Sequence, residues 1–319
     1  MNIDVFNGDA DGICALIQYR LANPAKSQLI TGVKRDIQLL KQLNVSSGDK
    51  ITVFDISMAK NADDLHRILD RGALVFYVDH HISGEIPDNP HLQAIIDTSP
   101  TTCTSLLVNQ YLKGRFKEWA IVAAFGDNMT TSAEKLAKDI SLDTNKVNQL
   151  KKLGISINYN GYGTNLEDLH FKPDELYQEM VKYKSPFDFI DDPISCYKNL
   201  QAGYDNDISE TQNIHPILNN EEIAVYQLPD ELWARRVSGV FGNQLANQYP
   251  DRAHAILSHH PKSGLVVSVR APLNNLDHAG ELCSSFPTGG GRKGAAGINQ
   301  LPDDQLQNFI SQFKKTYKR

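Results

Sequence analysis

The chain has 319 residues, which is too long for one ordinary hydrophobic core and fits two domains. Its composition, 41% hydrophobic and 22% charged, is that of a globular protein that can bury a sizeable core. The formal net charge of −6 at pH 7 argues against holding long nucleic acid by a basic surface, because that mode needs many Lys and Arg contacts to phosphate.

Charge is distributed unevenly along the chain. From residue 221 to the end there are 11 Lys and Arg against 9 Asp and Glu, a net charge of about +2, which leaves about −8 for the first 220 residues. Metal cations can neutralise the acidic part, and the mildly basic part can hold phosphate. The four cysteines form no C-x-x-C pair, and no secretory signal or transmembrane run is present, which predicts a cytoplasmic protein with no membrane partner.

The chain opens with the pattern of a parallel α/β unit. Ile3–Phe6 is an apolar strand, residues 7–12 (NGDADG) form a tight turn, and Ile13–Leu21 has apolar residues at helical spacing. The pattern then alternates: strands are predicted at Leu29–Val33, Lys50–Phe54, Ala73–Val78 and Leu92–Ile96, and helices at Asn61–Leu69, from about residue 101 to Leu112, and at Glu118–Phe125.

Alternating strands and helices predict an α/β protein with an N-terminal open parallel sheet and flanking helices, whose functional edge lies at the carboxyl ends of the strands. Residues 131–183 continue in a helical pattern, and a segment rich in Pro, Asp and Asn follows. We therefore predict a catalytic domain at 1–185, a linker at 186–222 and a smaller α/β domain at 223–319. The active site is expected in the cleft between the two domains.

The second domain is predicted to contain helices at Pro229–Gln248, Leu276–Cys283 and Asp303–Tyr317, strands at Ala253–Ser258 and Leu265–Val269, and a glycine-rich turn at Gly289–Gly297.

Metal-binding side chains follow four of the predicted strand or helix ends: Asp9 with Asp11, Asp55, His80 and Asp127. Hydrolysis with two metal ions needs hard oxygen ligands and a carboxylate that bridges cations about 3.5–4 Å apart. Residues i and i+2 of an extended turn point the same way, so Asp9 and Asp11 can each reach a different cation, with Asp55 as the bridge. The His80 nitrogen favours Mn²⁺ over Ca²⁺ or Mg²⁺.

Single aspartates at strand ends are more often turn formers or helix caps, and Asp4, Asp36 and Asp97 are each interpreted in that way. The pair His259-His260 is interpreted as a loop feature. What distinguishes the triplet at 79–81 is its place after an apolar strand, together with the other acidic ends.

The motifs together resemble a known family. Residues 7–12, Asp55, the triplet Asp79-His80-His81 and Asp127 resemble, in order and spacing, the four motifs of the DHH phosphoesterases. Residues 268–270 (SVR) and 289–297 (GGGRKGAAG) resemble the two signatures of the DHH-associated C-terminal domain. The resemblance covers nearly the whole chain.

The resemblance implies that Asp9, Asp11, Asp55, His80 and Asp127 bind two Mn²⁺ ions, with Mg²⁺ as the alternative and Asp55 as the bridge. It implies that Asp79 and His81 orient the site, and either His81 or Asp79 is expected to act in catalysis by moving a proton, with the choice between them left open. The implied contacts to the substrate phosphate and terminal nucleotide come from Arg270, Gly289, Gly290, Gly291, Arg292 and Lys293.

Two positions depart from the family pattern. Many members have His, and RecJ-like members Asp, just upstream of the paired aspartates, whereas the nearest candidate here is the neutral and weaker ligand Asn7. Arg292 stands where the family usually has His. Arg has a planar fork for phosphate or for the O6/N7 edge of guanine, so this exchange is expected to affect substrate choice.

The expected function is hydrolysis of short linear oligoribonucleotides, especially 5′-phosphorylated dinucleotides such as pGpG or pApA, to mononucleotides. The chain has no basic run for long strands, and we expect no long duplex partner. The alternatives left open are a RecJ-like single-strand exonuclease, a pAp or polyphosphate phosphatase, a cyclic-dinucleotide phosphodiesterase and a catalytically weakened nucleotide sensor. A homodimer is also left open.

Overall fold

The computed structural model describes residues 1–318, which form two compact units. Unit 1 consists of residues 1–161 and 165–202, and unit 2 consists of residues 162–164 and the chain from Gly203 onward. In the described part of the chain, no helix is both long enough and apolar enough to cross a membrane.

Unit 1 is built on a sheet of five parallel strands in the order β2-β1-β3-β4-β5. The central strands are apolar along their length, as expected where helices cover both faces of a parallel sheet. Neighbouring residues face opposite sides: Phe54 packs in one core cluster with Trp119, and Val53 packs in the other with Tyr77. The strands are β1 (Asn2–Phe6), β2 (Gln28–Ile30), β3 (Lys50–Phe54), β4 (Leu74–Asp79) and β5 (Leu92–Ile96).

The helices of unit 1 bring two loops to the carboxyl edge of this sheet. The fourth and sixth helices pass very close together, since a Cβ on Gly154 would lie 2.1 Å from the backbone oxygen of Val122. This approach holds the end of the fourth helix, with Asp127 directly after it, next to the start of the first. The helices are α1 (Ala10–Ala22), α2 (Ala62–Asp70), α3 (Thr104–Tyr111), α4 (Lys117–Gly126), α5 (Thr130–Asp139), α6 (Thr144–Asn160), α7 (Pro173–Met180), α8 (Pro186–Asp191) and α9 (Tyr197–Glu210).

Unit 2 contains a mixed six-stranded sheet in the order β10-β11-β9-β8-β7-β6, in which β7 and β8 are parallel and the other neighbours antiparallel. Its core joins apolar strand residues such as Val267 to the last helix through Phe309 and Phe313. The elements are β6 (Pro216–Asn219), β7 (Ile223–Gln227), α10 (Leu232–Gln248), β8 (Ala253–His259), β9 (Leu265–Arg270), α11 (Ala279–Ser284), β10 (Gly289–Gly291), β11 (Ala295–Leu301) and α12 (Leu306–Tyr317).

The predicted α/β class and the parallel N-terminal sheet are confirmed, and β3 and β5 have the predicted bounds. Two segments differ from the expectation. The predicted linker at 186–222 is folded into α8, α9 and β6, and the two units divide inside α9 between residues 202 and 203. The glycine-rich run at 289–297 is a hairpin of β10 and β11 rather than an extended turn.

Candidate metal centre

Asp11 lies in the first turn of α1, buried, with its carboxylate against the start of α3. Its Oδ2 accepts a hydrogen bond from the backbone N–H of Thr104 at 2.8 Å, and its Oδ1 accepts one from Ser105 at 2.7 Å. These N–H groups have no partner within their own helix, so the carboxylate caps α3. Burial, with repulsion from Asp127 and Asp9, raises the pKa of Asp11 to about 6.

Asp55 follows β3 in a left-handed backbone conformation with φ of 57°, which is uncommon for a residue with a side chain. This backbone turns the carboxylate toward the other acidic loops. Its Oδ1 lies 3.3 Å from the Thr104 hydroxyl and 3.3 Å from Nε2 of His80. Burial, together with repulsion from Asp9, Asp11 and the other nearby carboxylates, raises the pKa of Asp55 well above its usual range.

His80 presents one ring nitrogen to these carboxylates. Its Nδ1 donates to the backbone carbonyl of Thr102 at 3.0 Å, which leaves the lone pair on Nε2. Nε2 lies 3.3 Å from Asp55 Oδ1, 3.8 Å from Asp11 Oδ2 and 3.9 Å from Asp127 Oδ2. A histidine held by a backbone carbonyl in this way has the orientation of a metal ligand.

In unit 1, two groups of three ligand atoms lie within 4.8 Å of one another: one from Asp11, His80 and Asp127, and one from Asp55, His80 and His81. Asp9 belongs to neither group, within residues 1–318. Three carboxylates and one imidazole fit a divalent cation with mixed oxygen and nitrogen preference, such as Mn²⁺. The raised pKa values of Asp11 and Asp55 agree with that fit, because a bound cation would remove the repulsion between the ionised carboxylates.

Asp79 and His81 form a pair at the end of β4, beside the acidic cluster, with Nδ1 of His81 3.7 Å from Oδ1 of Asp55. Nδ1 of His81 lies 2.7 Å from Oδ1 of the fully buried Asp79, while the other carboxylate oxygen of Asp79 has no hydrogen-bond partner. The His81 side chain is 31% exposed, so a buried anion orients a partly exposed imidazole. This arrangement can hold a proton on the ring or give one up.

Asp9 has a different environment from Asp11. It is the N-cap of α1: its Oδ1 accepts hydrogen bonds from the backbone N–H groups of Asp11 at 3.0 Å and Gly12 at 3.1 Å. Its Oδ2 forms an ion pair with the ammonium of Lys34. That ammonium also lies 3.4 Å from Asp127 Oδ1 and 3.0 Å from Asn158 Oδ1.

Sequence reasoning missed Lys34 and Asn158. Lys34 lies in the loop after β2 at the same sheet edge, which is the one signal that could have pointed to it. Asn158 lies in the last turns of α6, and nothing local in the sequence distinguishes it. The Asn7 side chain, the departure from the family pattern, is buried: its Nδ2 donates to the backbone oxygen of Lys34 at 3.2 Å, and its Oδ1 has no hydrogen-bond partner.

In unit 2, Arg270 is buried, and its guanidinium is bound mostly by protein oxygens. Its Nε donates to Asn243 Oδ1 at 2.6 Å and its Nη1 to the carbonyl of Val269 at 3.1 Å. Its Nη2 lies 3.3 Å from the hydroxyl of Tyr162 and 3.2 Å from the carbonyl of Gly239. Four of its five N–H groups therefore have protein acceptors, and its assignment as a phosphate contact stays a prediction.

The glycine-rich signature forms the β10–β11 hairpin. A Cβ on Gly289 would lie 1.8 Å from the backbone oxygen of Cys283, so this glycine is required for the close approach of β10 to α11. A Cβ on Gly290 would meet open space. Arg292 and Lys293 lie in the turn, where Lys293 is exposed and pairs with Asp277 at 3.7 Å. The substrate contacts implied for this hairpin stay predictions.

The fold is similar to known structures at low sequence identity. A structure of the exonuclease RecJ bound to manganese aligns with a TM-score of 0.58 and 15% identity, covering 100% of this chain and 90% of the other. RecJ from Thermus thermophilus in complex with Mn²⁺ aligns with a TM-score of 0.59 and 15% identity, covering 98% of this chain and 51% of the other, so this chain spans about half of that protein. An exopolyphosphatase-related protein from Bacteroides fragilis aligns with a TM-score of 0.51 and 13% identity, covering 99% of this chain and 91% of the other. No protein-family model and no curated protein matches the sequence.

Proposed function

We propose that this chain, which has the DHH-family fold, is a metal-dependent phosphodiesterase that hydrolyses short linear oligoribonucleotides to mononucleotides. The observation that carries the proposal is the convergence of Asp11, Asp55, His80 and Asp127 at the carboxyl edge of the parallel sheet. The presence of manganese in the two RecJ structures supports Mn²⁺ as the cation.

The converging side chains have complementary tasks. The Asp11, Asp55 and Asp127 carboxylates and the His80 imidazole would hold the ion, while the start of α3 holds Asp11 in place. When bound, the ion supplies charge that lowers the pKa of a water molecule and neutralises a phosphate oxygen. Binding of two ions, as expected from the sequence, would require Asp9 as a donor in addition to these four residues.

The Asp79 and His81 pair is proposed to transfer a proton to the leaving group during the reaction. Asp79 keeps a proton on Nδ1 of His81 and stabilises the imidazolium form, which leaves Nε2 to give a proton to the leaving oxygen. His81 is partly exposed while Asp79 is fully buried, so only the imidazole is open to a substrate.

Short 5′-phosphorylated dinucleotides such as pGpG or pApA are the proposed substrates. The net charge of −6 disfavours long polyanions, and the charge of about +2 from residue 221 onward is enough for one or two phosphates. The turn of the β10–β11 hairpin carries Arg292 and Lys293, and Gly290 leaves open space for a ligand beside it. A guanidinium at position 292 can form two parallel hydrogen bonds with a terminal phosphate or with guanine.

A single-strand exonuclease is the second candidate, because the similarity to the two RecJ structures extends over nearly the whole chain. It differs from the first proposal in the length of substrate that is accepted. Substrate length is therefore the property to measure.

The test is a competition between substrates in the presence of Mn²⁺. The panel contains pGpG, pApA, longer RNA, single-stranded DNA, cyclic dinucleotides, pAp and polyphosphate, and mononucleotide release is followed by chromatography. We expect pGpG or pApA to be cleaved fastest and a chelator to stop the reaction. Asp55→Asn protein, purified in the same way, should lose at least about 10³-fold in kcat/KM, which controls for contaminating nucleases.

Each other outcome has a defined meaning. Preference for long single-stranded DNA would support the exonuclease and contradict the dinucleotide proposal. Cleavage of pAp or polyphosphate alone would indicate a phosphatase. Binding without turnover of any substrate would contradict the enzyme and favour a nucleotide sensor.

A further inference from the structure

We infer that the ammonium of Lys34 takes the place of one of the two cations expected at this site, so that the protein binds a single divalent ion. The inference rests on the proposed metal-dependent function only for the identity of that ion. It concerns the side of the acidic cluster formed by Asp9 and Asp127, opposite the groups that surround His80.

The Lys34 ammonium has the contacts of a bound cation. It has three N–H groups, and three side-chain oxygens surround it: Oδ2 of Asp9, Oδ1 of Asp127 at 3.4 Å and Oδ1 of Asn158 at 3.0 Å. Two of these oxygens belong to carboxylates that the family resemblance assigns to metal binding. The lysine therefore gives them positive charge from within the chain.

The backbone of Lys34 is fixed at both polar groups, so its side chain starts from a defined position. Its N–H donates to the carbonyl of Gly161 at 2.8 Å, and its carbonyl accepts from Nδ2 of Asn7 at 3.2 Å. The Lys34 side chain is 22% exposed, and its partners Asp9 and Asn158 are almost completely buried. A lysine held in this way does not behave as a mobile surface charge.

The carboxylate that a second metal ion would need on this side is already engaged at both oxygens. Asp9 uses one carboxylate oxygen to cap α1 and the other to pair with Lys34. Asn7 has a neutral side chain, and its amide nitrogen is turned to the backbone of Lys34. The neutral side chain at position 7 and the charged side chain at position 34 thus lie on the same side of the cluster.

Asp127 connects the two sides. Its Oδ1 faces Lys34 at 3.4 Å, and its Oδ2 faces Nε2 of His80 at 3.9 Å. One carboxylate can therefore lie between the lysine and a single divalent ion, as it would between two ions. A second divalent ion beside the lysine would be repelled by it, because like charges in a partly buried site are poorly screened.

The Lys34 ammonium and the divalent ion would then have different roles in catalysis. A lysine ammonium neutralises carboxylates but has no position at which water can bind as a metal ligand. Activation of water would then depend on the ion held by Asp11, Asp55, His80 and Asp127 alone, with Lys34 keeping Asp9 and Asp127 in place.

The experiment is a count of bound metal. The protein is stripped with a chelator, dialysed against increasing Mn²⁺ at neutral pH, and bound manganese is measured by atomic absorption and by the electron paramagnetic resonance signal of free Mn²⁺. We expect saturation at one Mn²⁺ per chain. Two Mn²⁺ per chain, with dissociation constants within about tenfold of each other, would overturn the inference and leave the proposed function standing. No bound Mn²⁺ would overturn both.

Two variants test whether Lys34 limits the number of bound Mn²⁺ ions to one per chain. The double variant Asn7→Asp with Lys34→Ala restores a charged ligand and removes the competing ammonium, and we expect it to bind two Mn²⁺ per chain. Lys26→Ala, which removes one exposed positive charge from the loop before β2, should still bind one. A double variant that folds, as judged by circular dichroism, and still binds one ion would contradict the inference. If it does not fold, the count on the unaltered protein decides the matter.

Discussion

The carboxyl edge of unit 1 and the Arg270 region of unit 2 both carry motifs that resemble those of the DHH phosphoesterases, but their polar groups are satisfied in opposite ways. At the edge of unit 1, buried carboxylates face one another, and burial with mutual repulsion raises the pKa values of Asp11 and Asp55. In unit 2, the buried guanidinium of Arg270 has protein oxygens for four of its five N–H groups. The first region therefore has unused capacity for a cation, and the second is nearly saturated.

The difference between the two regions shows that a charged residue in a motif can serve either to bind a ligand or to stabilise the fold. Charged groups held together without compensation cost free energy, which a ligand of opposite charge recovers on binding. A charged group whose hydrogen bonds are made internally stabilises the fold. We therefore expect substitutions at the edge of unit 1 to affect catalysis, and substitution of Arg270 to affect stability.

The largest expected effect is on turnover, from Asp79→Asn. The change keeps the size of the buried side chain but removes the negative charge that stabilises protonated His81. General acid–base catalysis contributes roughly 10²- to 10⁴-fold, so kcat should fall by that order. Steady-state kinetics on the preferred substrate measures the fall, and the number of bound Mn²⁺ ions should not change.

Asp97→Asn is the matched control for Asp79→Asn. Asp97 follows the neighbouring strand β5, is exposed, and accepts a hydrogen bond from the backbone N–H of Ser99, as a turn former does. Its substitution should change kcat by less than about twofold, because Asn forms the same turn. Equal activity of the two variants would show that Asp79 and His81 take no part in moving the proton.

Arg270→Met tests the Arg270 region of unit 2, where protein oxygens accept most of the hydrogen bonds of the guanidinium. The change removes the charged donor to Oδ1 of the half-buried Asn243, and a hydrogen bond to a charged group contributes about 1.5–3 kcal/mol. We expect a loss of about 3 kcal/mol in the free energy of unfolding by urea, with kcat/KM of the folded protein little changed. Unchanged stability with a raised KM would instead support the phosphate contact implied by the family resemblance.

Much of the edge of unit 1 could be predicted from the sequence, because its signal is local. Strands β3 and β4 are short apolar runs that lead directly into Asp55 and Asp79, and parallel strands bring such ends together. The α/β fold with a parallel N-terminal sheet that these patterns predict is confirmed, and it is similar to the fold of the RecJ structures. Lys34 and Asn158 could not be predicted, because they are 124 positions apart and meet only through the packing of α6.

The segment predicted as a linker shows why composition alone misleads. Pro186, one of the prolines that suggested a linker, is the first residue of α8, and the hydroxyl of Ser185 before it accepts from the backbone N–H of Phe187. Both residue types suit the first turn of a helix as well as a loop. The tertiary packing of Phe189, which is fully buried, decides between the two.

The pH dependence of stability without metal tests the uncompensated charge at Asp11. Its pKa is raised from 3.8 to about 6, so the folded state holds this proton more tightly than the unfolded state. The unfavourable contribution is absent below pH 4, grows as the pH rises toward 6, and is complete above it, at roughly 3 kcal/mol. In a chelator, the unfolding free energy of Asp11→Asn relative to the unaltered protein should therefore rise by up to this amount between pH 4 and pH 7.

Taking the difference between two proteins removes the titration of distant groups that they share, while Asp55, whose pKa is raised in part by repulsion from Asp11, contributes to the same pH-dependent difference. Asn also loses one of the hydrogen bonds from the start of α3, but that loss does not depend on pH. Saturating Mn²⁺ should remove the penalty in the unaltered protein, because the ion stabilises the ionised carboxylate. A difference that is constant from pH 4 to pH 7 would mean that Asp11 is not held against other charges.

The smallest expected effect is that of Arg292→Met, which completes the comparison within unit 2. Unlike the buried Arg270, Arg292 is half-buried and lies in the turn of the β10–β11 hairpin, outside the core of unit 2. The free energy of unfolding should change by less than about 0.5 kcal/mol.

A charged hydrogen bond to a phosphate or a base is worth about 1.5–3 kcal/mol, so KM for the preferred dinucleotide should rise by about tenfold or more in Arg292→Met with kcat little changed. If Arg292 recognises guanine, the rise will be larger for pGpG than for pApA. Equal rises would indicate a contact to phosphate, and an unchanged KM for both would remove the hairpin from the substrate site.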